Sequence, residues 1–180
     1  MKKVILNNGL IAGIIVSLWM ATSMLAVGCD NMMALGPRGM IIGYTGMLVA
    51  FSFIFVAVKN YRDKINGGVV AFGRAFGIGL LISLIASTFY VVTWLVVYYN
   101  FMPDFMDKYA AAAIEQAKST GASAAELKAQ ATEMEWAKQM YSQPVNVVWM
   151  TYLEVFPIGL LVSLITAAIL KRNRATIQEA

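Results

Sequence analysis

The sequence predicts an all-α integral membrane fold: four transmembrane helices, with an extracytoplasmic helical hairpin between the third and the fourth. Three observations carry that expectation. Of the 180 residues 59% are hydrophobic and only 13% charged, and the mean hydropathy is +0.67, outside the range of ordinary soluble domains. Four apolar runs each approach or exceed the about 20 residues a helix needs to cross a hydrocarbon core of ~30 Å. Nine of the 14 basic residues stand beside those runs, where they act as topology signals rather than as a nucleic-acid surface.

The first run, about 4–27, is broken only by uncharged polar residues such as Asn7, Asn8, Ser17, Thr22 and Ser23. The second covers about 40–58, the third 69–102 and the fourth 145–170. Uninterrupted runs of this length are helices, because hydrocarbon leaves backbone polar groups to be satisfied within the segment. They lack the period-2 alternation of a membrane barrel. The third run exceeds 30 residues, about 48 Å as a straight helix, so it must tilt or project. A single membrane domain over residues 1–180 is expected.

Direction follows from the basic residues. If the helices alternate, Lys2, Lys3, Lys59, Arg62, Lys64, Arg74, Lys171, Arg172 and Arg174 share one side, which should be cytoplasmic. The other side holds Arg38 and four lysines, Lys108, Lys118, Lys128 and Lys138, in a segment whose six acids outnumber those lysines. Both termini are therefore expected inside, in a bacterial inner membrane. The connector from Lys59 to Gly68 carries an Asn66-Gly67-Gly68 turn signal. Arg62, Lys64 and Arg74 form its candidate cytoplasmic interface with anionic headgroups, Arg74 snorkelling from the third span.

Residues 103–143 read as two helices. Phe105, Tyr109 and Ala113 recur on one face, and Leu127, Ala131, Met134 and Tyr141 on another. Gly121 ends the first helix, Ser123 with Glu126 forms a capping-box pattern for the second, and Pro144 separates it from the fourth span. This hairpin is expected to cap the bundle; a partner- or ligand-binding lid is the alternative.

Small residues four apart, Gly9 and Gly13, Gly39 and Gly43, Gly73 and Gly77, Gly159 and Ser163, are close-packing signals. They are read as contacts within one subunit, with a homo-oligomer as the alternative. Gly73, Gly77 and Gly79 lack the strand–loop–helix setting of a phosphate loop, so no nucleotide site is expected. With no histidine and one cysteine, Cys29, the chain has no His/Cys metal set, histidine base or internal disulfide. No cofactor is expected. Leu25-Ala26-Val27-Gly28-Cys29 resembles a lipoprotein signal. The apolar run before it is, however, longer than the 7–15 residues of a signal core, which favours a plain first membrane helix.

Glu154 is the only carboxylate inside the apolar runs. An ionisable group near the centre of a membrane helix costs about 2.5–3.5 kcal/mol on insertion scales, so it marks a functional or packing role. Counting helical rise puts Glu154 about 25 Å from the cytoplasmic ends and Arg74 about 8 Å, too far apart to pair. The same count brings Ser17, Trp19, Tyr44, Thr45, Ser87 and Thr88 near its level. Hydroxyls without a cation favour a neutral, hydrogen-bonded acid. Pro157 frees a carbonyl near Leu153, so a protonated Glu154, Tyr152 or Thr151 is expected to staple a kink there. Glu154, Pro157, Tyr44, Thr45, Ser87 and Thr88 make up the candidate intramembrane site.

Several of these elements, in order, resemble a known family: Tyr61-Arg62-Asp63-Lys64, then Asn66-Gly67-Gly68 and Phe72, Tyr141 with Pro144, Leu153-Glu154-Val155-Phe156-Pro157-Ile158-Gly159, and Lys171-Arg172. Together they are similar to the small four-helix bacterial membrane proteins catalogued as domain of unknown function 4199. The resemblance implies four spans with an external helical segment. It implies no activity and carries over no functional residue.

The expected function is non-enzymatic: an integral inner-membrane protein acting through packing with membrane lipids, with itself or with a partner membrane protein, and with no nucleic acid. The alternative is a small proton-coupled transporter or channel subunit that uses Glu154. An enzyme is disfavoured because one acid lacks the second carboxylate, histidine or activated nucleophile that hydrolytic chemistry requires.

Overall fold

A computed structural model describes residues 1–27, 35 and 37–172. Cys29 and Arg174 lie outside the described residues, and with them the lipidation reading and one of the nine basic residues.

Among the described residues six α-helices follow one another: α1 (Lys2–Val27), α2 (Pro37–Asn60), α3 (Phe72–Phe101), α4 (Phe105–Ser119), α5 (Ala124–Tyr141) and α6 (Pro144–Leu170). Four of them, α1, α2, α3 and α6, are long and apolar enough to cross a membrane. A helix therefore stands at each of the four expected runs, with ends shifted by a few residues. A π-helical turn, Tyr61–Ile65, extends α2. It closes at Gly67 and Gly68, whose φ values of 63° and 83° lie in the left-handed region that glycine tolerates.

The helices pack as a bundle in which α2 and α3 touch, with α1 and α6 on opposite flanks of that pair, each against both. Small residues set the closest approaches. A Cβ on Gly159 would come within 2.7 Å of the Ser83 side chain and 3.0 Å of Phe51, and one on Gly79 within 2.8 Å of Ser163 and 2.9 Å of Ile54. Gly9 and Gly13 fit in the same way against Ile85 and Phe89. Two of the four small-residue pairs are therefore close-approach sites. Gly43, Gly73 and Gly77 are not, since a Cβ on any of them would meet nothing within 4 Å. Gly46 takes the role expected of its neighbour, lying directly under the Trp19 indole, whose N–H donates to the Ile42 carbonyl at 3.1 Å.

At the connector end, Val70 and Arg172 exchange two backbone hydrogen bonds of 3.0 and 2.9 Å. This single bridge ties the approach to α3 to the end of α6. The other end is closed by the α4–α5 hairpin. Glu126 N–H donates to the Ser123 hydroxyl at 3.3 Å and Ser123 N–H to the Glu126 carboxylate at 2.7 Å. The expected capping box is complete. Gly121, with φ 81°, breaks the chain before it. Lys138 of α5 reaches Asp107 of α4 at 2.6 Å. Met106, Met134, Phe105 and Tyr141 point into the bundle, whereas Tyr109 is exposed.

Two hydrophobic clusters result. One, in the connector half, gathers Ile5, Val16, Phe51, Ile54, Ile78, Ile82 and Val155. The other, in the hairpin half, gathers Met20, Trp94, Val97, Tyr98, Met102, Met106 and Val147. The last turn of α3 belongs to the second: Tyr98 meets Tyr141 with ring centroids 5.8 Å apart, and Trp94 meets Phe105 edge-on at 5.0 Å. The length of the third run is thus used under the hairpin.

Candidate functional site

Each polar side chain on the inner faces of α3 and α6 has one turn of helix behind it, and most spend their protons there. Ser83 lies 3.0 Å from the Gly79 carbonyl, Ser163 lies 2.7 Å from that of Gly159, and the two hydroxyls are 3.1 Å apart. Two protons serve three contacts, so one serine donates to the other while its partner keeps its carbonyl. One turn further, Tyr152 lies 2.7 Å from the Thr88 hydroxyl, which donates to the Leu84 carbonyl at 2.8 Å. Thr45 donates to the Ile41 carbonyl and Thr151 to that of Val147, each at 2.7 Å. Thr93 of α3 stands 3.0 Å from Ser17 of α1.

Glu154 is absent from this network. No described residue forms a hydrogen bond or ion pair with its carboxyl group, although a count of helical rise sets hydroxyls near its level. Thr88 is engaged by Tyr152, Thr45 by its own helix, and Ser87 is fully buried without a partner. The expected staple is absent too, since Thr151 and Tyr152 direct their protons elsewhere and α6 runs through Pro157 as one helix. Azimuth around the helix decided the outcome. Glu154 sits to the side of the buried Val155 and Thr151, where its side chain is exposed.

Its electrostatic neighbours are Tyr90 of α3 and Tyr141 of α5, and Tyr90 in turn lies within reach of Tyr44 on α2. The carboxyl group therefore stands at a seam that is open to the exterior, with phenols from two other helices, α3 and α5, beside it. Burial pushes the Tyr141 phenol up to about 12, the Glu154 charge adds to that, and a hydrogen-bonding contact with Thr151 opposes it. Tyr90 and Tyr141 were missing from the expected set. Tyr90 is one turn from Ser87 and could have been found by the same count; Tyr141 required the hairpin to fold back. Beside Glu154 the flank of α6 carries Leu153 and Trp149, 64% and 66% exposed.

At the connector end the three interface residues separate. Arg62 pairs with its neighbour Asp63 at 2.6 Å, and that hydrogen bond holds the Asp63 carboxyl below its ordinary value. Lys64 is exposed. Arg74 is exposed on the first turn of α3, at the edge of a cleft of about 260 Å³ that also involves Met1, Ile5, Gly73, Gly77, Ile78 and Leu81. A smaller cavity of about 40 Å³ lies between α1, α2 and α3, touched by Trp19, Gly43 and Tyr90. No group of His, Cys, Asp and Glu side chains among the described residues could hold a metal ion.

These features define the class: an all-helical protein with four helices of membrane-spanning length and composition around a glycine- and serine-lined core. Within it, the chain belongs to the family described as protein of unknown function (DUF4199), whose model matches residues 7–172. No curated protein and no solved structure matches the chain.

Proposed function

We propose that this is a non-enzymatic integral protein of the bacterial inner membrane that acts by binding a second membrane protein through the seam around Glu154. Both termini lie in the cytoplasm and the α4–α5 hairpin outside. The observation that carries the reading is an exposed carboxyl group, on a helix of membrane-spanning length, that the chain itself leaves without a hydrogen bond among the described residues. Such a group costs about 2.5–3.5 kcal/mol in hydrocarbon, a cost that a donor on a neighbouring helix offsets. The exposed Leu153 and Trp149 beside it supply apolar contact. The basic residues at the connector end support the orientation.

A photo-crosslinker at position 153 tests the contact. The expected result is a discrete adduct with one membrane protein, kept in Glu154→Gln, which still hydrogen-bonds, and lost in Glu154→Leu. Glu154→Gln that loses function at normal abundance would overturn the proposal in favour of proton coupling, as would pH-dependent flux through the reconstituted protein. Single cysteines at positions 115 and 64, in a Cys29→Ser background, test orientation; labelling of position 64 from outside would reverse it.

A further inference from the structure

The cleft at the connector end has the form of an amphiphile site. Its floor is apolar, from Ile5, Ile78 and Leu81, and its volume of about 260 Å³ exists because Gly73 and Gly77 put no side chain into it. One charged side chain, that of Arg74, stands at its edge. The Arg74 guanidinium forms no hydrogen bond or ion pair with any described residue. Around it the described charges are almost all of one sign. Lys2, Lys3, Lys59, Arg62, Lys64, Lys171 and Arg172 share this end of the bundle, and the one acid there, Asp63, is engaged by Arg62. The cleft opens sideways, with Leu81 46% exposed at its far end from Arg74.

We propose that this cleft binds one anionic phospholipid, its phosphate on Arg74 and the first segment of an acyl chain along Gly73, Gly77 and Leu81. Charge complementarity selects the headgroup, because a guanidinium forks onto phosphate and the surrounding lysines disfavour a cationic or neutral occupant. The apolar floor selects a lipid over free phosphate, since an ion would leave Ile5, Ile78 and Leu81 facing nothing. An aliphatic chain in that groove takes the place that a neighbouring side chain fills at Gly9 and Gly13. This site is separate from the Glu154 seam and stands or falls independently of it.

Native mass spectrometry of the full chain in detergent, titrated with dioleoylphosphatidylglycerol, reads the site directly. One tightly held lipid is expected, with no comparable adduct from dioleoylphosphatidylcholine. Arg74→Gln should weaken retention by about tenfold, the scale of one desolvated charge–phosphate contact. Gly77→Leu should weaken it as much by filling the groove, into open space that needs no neighbour to move. Lys64→Gln, at the same end but off the cleft, removes only a share of the surrounding charge and should weaken retention far less than Arg74→Gln. Equal loss in Lys64→Gln would show diffuse attraction and overturn the site, as would wild-type retention by Arg74→Gln. Displacement of the lipid by millimolar inorganic phosphate alone would also overturn it, in favour of a free-anion site.

Discussion

The connector half and the hairpin half of the bundle are held together by opposite means. In the connector half, helices approach until glycine and serine touch the neighbouring helix, as at Gly159 against Ser83 and Gly79 against Ser163. The Ser83 and Ser163 hydroxyls there lie within 3.1 Å of each other and of a carbonyl one turn back. In the hairpin half the space is filled by large rings and methionines, Trp94, Tyr98, Phe105, Met102 and Met106. What is unsatisfied lies where the two halves meet: the partnerless Ser87 hydroxyl, next to Ala86 of the connector-half cluster, and the exposed Glu154, next to Val155 of the same cluster. Dispersion between close backbones, the main attraction available to helices in lipid, is short-ranged and needs small residues. Aromatic packing tolerates wider spacing and leaves seams where a polar group can face outward. Close backbone contact fills the middle of the connector half, whose open space is the cleft beside Gly73 and Gly77 at its margin, while rings and methionines fill the hairpin half.

This contrast can be broken from either side. The largest effect is expected from removing volume in the hairpin half: Trp94→Ala should cost about 3–5 kcal/mol, read as a lowered unfolding midpoint in detergent together with earlier proteolysis of the α4–α5 hairpin that rests on Phe105. Adding volume in the connector half should come next. Gly159→Leu forces Ser83 and Phe51 aside and should cost about 1–3 kcal/mol or more, while the same change at Gly77, in open space, leaves the midpoint unmoved. If the Gly77 variant falls as far, the connector half is not set by close approach. The smallest effect separates the two serines of α3. Ser83→Ala should lower stability by about 0.6 kcal/mol, the usual scale of an interhelical hydrogen bond in a membrane protein. Ser87→Ala removes a buried hydroxyl that has no partner and should be neutral or slightly stabilising. A larger loss for Ser87 than for Ser83 would reverse the assignment of the satisfied and the unsatisfied hydroxyl.

Much of the fold was legible in the residues. The capping box at Ser123 and Glu126, the glycine turn at Gly67 and Gly68 and the end of α4 at Gly121 are local chemistry, complete within a few residues, and each formed where expected. The glycine pairs were legible only as candidates. A four-residue spacing says that two small residues share a face, not that a helix lies on it, so Gly9, Gly13 and Gly159 met neighbours while Gly73 and Gly77 met none. The candidate site was legible to the same degree: Glu154 itself was evident, its partners were not.

Run length and composition alone decide that four helices of this chain are long and apolar enough to cross a membrane, because hydrocarbon imposes one backbone solution whatever the neighbours do. The family membership over residues 7–172 was carried by motifs of the same local kind. Only the tertiary structure decided which way each polar side chain faces. Rise per residue fixes a residue's height on its helix, but its bearing depends on how far the helix is rotated against its neighbours, and that rotation is set by where glycine, serine and tyrosine let the backbones meet. One hundred degrees of rotation per residue, about the helical repeat, separates the buried Val155 from the exposed Glu154 beside it.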